Sequence, residues 1–225
     1  MHTLRGEYRA AVEAYEAAAA HSDGAALAEA EHRLGRVHDR RGDHRLAELH
    51  LAAALQAGGE TARLQADRSL TAHRRGQEQQ AVELAQRALA LGGEAGDVEA
   101  VAQAENILGM LTGDRSHLEH SVALAEALPD RSVLVAALNN LALACERAGK
   151  RDRAVALTER ALALCAEQGD RHREAALHNN LADLLHRAGD TEAAMGHLKA
   201  AVTIFAEIGA GEGEMQPEVW KLVEW

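Results

Sequence analysis

Aromatic residues, prolines and cysteines are nearly missing from this sequence, and each shortage closes off a class of protein. Phe, Tyr and Trp together make up 2% of the chain, and there are two prolines. With so few aromatic and β-branched residues there is little material for a sheet. Two cysteines, Cys145 and Cys165, give neither a disulfide framework nor a metal-ligand spacing. Positive charge is short as well. A formal net charge of −11 excludes the basic face that marks a nucleic-acid binder. Long apolar runs are absent too. The longest stretch without a charged residue, Ser132 to Cys145, has 14 residues and two asparagines, too short and too polar for a bilayer. The opening "MHTLRGEYRA" holds no apolar leader. The expected setting is reducing and cytoplasmic, with no membrane and no nucleic-acid partner.

Catalytic signatures are equally scarce. "LGGEAGD" and "QAGGE" are glycine-rich but lack the Lys-Ser/Thr tail of a phosphate loop, and each falls between helical segments. There is no His-Glu-x-x-His and no Gly-x-Ser-x-Gly. Thirteen histidines include no i,i+4 pair; His117 and His120, three apart, are read as solvated or packing side chains. No metal, no cofactor and no enzymatic activity are expected.

What is there is helix-forming material. Ala, Leu, Glu and Arg dominate, and these side chains lose little freedom in a helix. The pattern is punctuated by glycines followed by a polar residue: Gly6, Gly42, Gly76, Gly113, Gly149 and Gly189, at intervals of 36, 34, 37, 36 and 40 residues. A period of that size marks a helical repeat array. Each glycine ends a helical segment, where left-handed backbone suits a residue without Cβ. Five residues on stand Ala11, Ala47, Ala81, Leu118, Ala154 and Ala194, which open the apolar face of a second helix. Eight residues before Gly42, Gly149 and Gly189 stand Leu34, Leu141 and Leu181, each followed by a small residue that permits close helix approach.

In these large-small pairs and turn glycines the chain resembles the tetratricopeptide repeat family over about residues 6–208. The resemblance implies an all-α fold, a right-handed α-solenoid of antiparallel helix pairs wound as a tetratricopeptide-like superhelix. The expected layout is a helix over about 5–21, then pairs over about 23–57, 60–92, 97–128, 131–168 and 171–208, within one repeat domain over 1–210. Two departures stand out. The family's aromatic positions are mostly Leu, Ala or His, and the first helix of the third pair reads as cut short, with only four residues from Gly109 to Gly113. The last two pairs, with "NNLA" in each, resemble the long-period repeats of kinesin light chains and of bacterial signalling ATPases and regulators. In those bacterial proteins the repeats commonly follow a nucleotide-binding module. A second helix at Gly6 without its first is read as a sign that the chain is a piece of a longer protein, or else as an unusual cap. At the other end, residues 211–225 are expected as a loop and a capping helix. Trp220 and Trp225 there are alternatively a contact for another subunit, giving a homo-oligomer.

The family builds its concave surface from the first helices. One stripe of those helices carries Arg40, Arg74, Asn106, Asn139, Asn140, Arg147, Asn179, Asn180, Asp183, His186 and Arg187. Asn amides can pair with an extended peptide backbone, and Arg can take a carboxylate. These residues are the candidate groove for a protein or peptide partner, an acidic segment being favoured. Two bland readings stand beside this one. Asn can bond the neighbouring helix pair, and Arg can settle the last carbonyls of its own helix. The expected function is a non-enzymatic binding scaffold. The alternative is a sensor or regulatory arm of a larger signalling ATPase or transcription regulator, with a small ligand in the groove. An enzyme using His73 and His186 has no supporting constellation.

Overall fold

The computed structural model describes residues 8–212, of which 86% are helical, in eleven α-helices with no strand among the described residues. They form two compact units, residues 8–114 and residues 115–212. The boundary falls in the turn between the two helices expected as one pair over 97–128.

Residues 8–114 hold α1 (Tyr8–Ala20), α2 (Gly24–Arg40), α3 (His44–Gly58), α4 (Ala62–Arg74), α5 (Glu78–Ala95) and α6 (Val98–Thr112). The short turns make consecutive helices antiparallel neighbours. Gly42 between α2 and α3 takes φ 84°, and the Asp43 N–H returns to the His38 carbonyl at 2.9 Å. That bond satisfies a carbonyl the helix end leaves orphaned, and only glycine enters the left-handed region without a Cβ clash. Asp43 then caps α3 by accepting from the Leu46 N–H. Leu34 and Leu51 are fully buried between the two helices. A Cβ on Gly35 would stand 2.7 Å from the Leu51 side chain, so the small residue sets the spacing of the hairpin. Ala66, Ala85, Ala88, Ala104, Ile107 and Leu108 form the core of α4, α5 and α6. The first helix expected to be cut short between Gly109 and Gly113 has the length of its counterparts. α6 runs 15 residues to Thr112 with Gly109 buried inside it. An interior glycine costs about 1 kcal/mol against alanine, which the burial of a whole helix face exceeds.

Residues 115–212 hold α7 (Arg115–Ala125), α8 (Ser132–Arg147), α9 (Arg151–Gln168), α10 (Arg171–Ala188) and α11 (Thr191–Glu212). The same turn recurs, with the Lys150 N–H to the Cys145 carbonyl at 2.9 Å, the Asp170 N–H to the Cys165 carbonyl at 3.3 Å and the Asp190 N–H to the Leu185 carbonyl at 3.0 Å. Leu118, Leu141, Ala142, Cys145, Ala154 and Leu184 pack as one cluster, and Ala175, Ile204 and Ile208 as another. Cys145 and Cys165 are both buried thiols. No helix among the described residues is long and apolar enough to cross a membrane.

Candidate functional site

Within each unit the first helices meet one another, and the turn glycines give the two units a common register. In residues 115–212, Asn139 lies ten residues before Gly149, and Asn180 lies nine before Gly189. The Asn180 Nδ2 donates to Asn139 Oδ1 at 2.8 Å, and Asn139 Nδ2 reaches Asn140 Oδ1 at the limiting distance of 3.5 Å. All four asparagines are inside. Asn139 and Asn180 are 0% exposed, Asn140 2% and Asn179 6%. Leu138, Leu141, Leu177 and Leu181, close by in sequence, are buried as well. In so dry a place an amide without a partner costs about 1–3 kcal/mol, so each must be bonded and fixes the register of α10 on α8. A ligand lying on the surface does not reach Asn139 or Asn180.

The other sequence-derived candidates of this unit are outside. Arg147 ends α8 and Arg187 lies in the last turn of α10; both are exposed, as is His186, and Asp183 is half-buried. Arg187 Nε lies 2.8 Å from Asp183 Oδ2, an ion pair within α10.

In residues 8–114 the same two register positions hold different chemistry. His32 is ten before Gly42 and Asp67 nine before Gly76. His32 Nε2 sits 2.7 Å from Asp67 Oδ2, and Gln103 Nε2 of α6 donates to Asp67 Oδ1 at 3.1 Å. Arg36 Nε lies 3.6 Å from the same carboxylate. Burial pushes the Asp67 carboxyl up, but Arg36 and the hydrogen bonds from His32 and Gln103 outweigh it and hold it below its ordinary value. Asp67 thus ties α2, α4 and α6 together. His32 and Gln103 were not among the sequence candidates. The signal was present, since both stand ten residues before a turn glycine, as Asn139 does.

Arg74 is ion-paired with Asp39 of α2, which also accepts from the Thr71 hydroxyl at 3.2 Å. Arg40 is half-buried at the end of α2, and Asn106 is buried in α6. His73 Nδ1 lies 2.9 Å from Glu78 Oε2. Among the described residues no group of three or more His, Cys, Asp or Glu side chains is placed to hold a metal ion. Trp220 and Trp225, with the capping helix expected there, lie outside the described residues.

A family model of the tetratricopeptide repeat matches residues 133–207, from α8 into α11. No curated protein matches the chain. Among solved structures, BtubC (BKLC) from P. vanneervenii is 23% identical, with a TM-score of 0.58 over 95% of this chain and 93% of its own. A Rap protein complexed with Competence and Sporulation Factor is 15% identical with a TM-score of 0.72, over 89% of this chain; the chain spans 64% of the Rap protein's length. The tetratricopeptide-like repeats that carry a kinesin light chain name in Podosopora anserina are 19% identical with a TM-score of 0.51, over 84% of this chain and 100% of theirs. At these identities the likeness is one of fold, and the fold is that of stacked tetratricopeptide-type helix pairs.

Proposed function

We propose that the chain is a non-enzymatic protein- or peptide-binding module whose partner presents an acidic segment to the ends of the first helices. One observation carries this reading. Arg147 and Arg187 occupy the same place, two residues before a turn glycine, on α8 and α10, and both are exposed on a chain of net charge −11. Carboxylates are what guanidinium forks bind bidentately. His186 and Asp183 flank them, and the Asp183 carboxylate presets the Arg187 fork. Arg40 and Arg74 hold the equivalent place in residues 8–114, where Arg74 is already paired with Asp39. The complex of a Rap protein with Competence and Sporulation Factor lends support, since a similar fold there engages a separate factor.

The test is titration of a Glu-rich peptide against the chain and its Arg147→Ala/Arg187→Ala variant at two salt concentrations. The variant is expected to lose about tenfold or more in affinity and most of the salt dependence. Its stability should change by no more than about 0.5 kcal/mol, because both sites are exposed. Equal affinity of the two proteins would dismiss the arginine face.

A further inference from the structure

Two helix hairpins carry a histidine eight residues after the turn glycine: His50 after Gly42, and His197 after Gly189. Each meets the residue eleven before the same glycine. In the α2–α3 hairpin that residue is Glu31, whose Oε2 lies 2.7 Å from His50 Nδ1. In the α10–α11 hairpin it is His178, whose Nδ1 lies 2.9 Å from His197 Nδ1, with ring centroids 5.1 Å apart. Two imidazole nitrogens at that distance share one hydrogen: one donates N–H and the other must present its lone pair. The contact survives a first added proton, which goes to an outer nitrogen of the donating ring. A second proton puts N–H against N–H and one positive ring against another.

We propose that the His178–His197 pair is a pH-sensitive latch on the α10–α11 hairpin, held while one of the facing nitrogens is unprotonated and released when both rings are imidazolium. The charged groups around it tune the latch. On α10, Glu174 draws a proton toward His178 and Arg171 opposes it; on α9, Glu159 favours charge on His197. Arg171 is itself tied to Glu174 and to Glu207 of α11, which damps both effects. Burial, and then the charge of His197, holds His178 below the ordinary imidazole value, and burial does the same for His197. Both folded values lie below the unfolded one. The latch therefore contributes fully above about pH 6.5 and is lost as pH falls through the folded values. The α2–α3 hairpin places a carboxylate, Glu31, where the last hairpin has His178.

Hydrogen exchange on the full chain at pH 7.5 and 5.5 tests this, with α11 amides compared to α9 amides after correction for chemical exchange rates. The opening of α11 relative to α9 is expected to rise about tenfold at the lower pH. His178→Glu rebuilds the Glu31–His50 pairing in the last hairpin and is expected to flatten or reverse that rise. His197→Gln, which keeps a hydrogen-bonding side chain but cannot take up a proton, is expected to flatten it and serves if the first variant does not fold. The same rise in wild type and in the variant that folds, or no rise in wild type, overturns the latch. No partner is needed, so the outcome is independent of the arginine face.

Discussion

In residues 8–114 the seam between consecutive helix pairs is closed by His32 on Asp67, an imidazole on a carboxylate; in residues 115–212 the same register holds Asn139 and Asn180, two amides. The distances match, 2.7 and 2.8 Å, and so do the offsets from the turn glycines. Repeat geometry therefore fixes where a polar clamp must stand, since two first helices bring their side chains together there. It leaves open which chemistry fills the place. The choice decides the response to the surroundings: the ionic clamp senses acid, while the amide clamp carries no titrating group.

The largest expected effect tests what the two units share. Leu34→Ala and Leu181→Ala remove equivalent, fully buried side chains and should each cost about 2–5 kcal/mol, read by urea denaturation with exchange resolved by unit. A cost near zero in either unit would mean that a common register does not give a common core. Asp67→Asn comes next. It removes a charged acceptor from three helices and should cost about 1.5–3 kcal/mol at neutral pH. Because the folded value of Asp67 is depressed, its contribution is present above the ordinary carboxyl value of about 3.9 and is lost as pH falls through the folded one. The variant should accordingly flatten the acid limb of unfolding for residues 8–114 alone, and an unchanged limb would show that the clamp is not the sensor. The amide clamp gives the smallest signal and the most diagnostic one. Asn180→Ala strands Asn139 and should cost about 1–2 kcal/mol at every pH, whereas Asn139→Leu with Asn180→Leu should be close to neutral. A double variant as damaged as the single one would argue that the amides do more than satisfy each other.

Much of this was legible beforehand. The turn glycines, the Leu-small pairs and the alanines five residues on place the helices and their buried faces, because each follows from local rules of helix termination and periodicity. Gly109, only four residues before Gly113, suggests a shortened helix, yet α6 spans 15 residues and holds Gly109 buried inside it. The asparagines show a deeper limit. Asn139, Asn140, Asn179 and Asn180 sit on the stripe that periodicity assigns to a surface, yet all four are buried. Periodicity tells which residues share a side of one helix. It does not tell how far the next helix covers that side, and one residue along the stripe separates buried Asn180 from half-buried Asp183 three positions on.

The sequence by itself determined the all-helical class, the repeat and its turns, since these depend on interactions within four or five residues. Tertiary structure alone decided which polar residues became clamps, which arginines stayed exposed, and that His178 would face His197. Those outcomes depend on pairings 19 to 41 residues apart, whose geometry is set by how one helix settles on another.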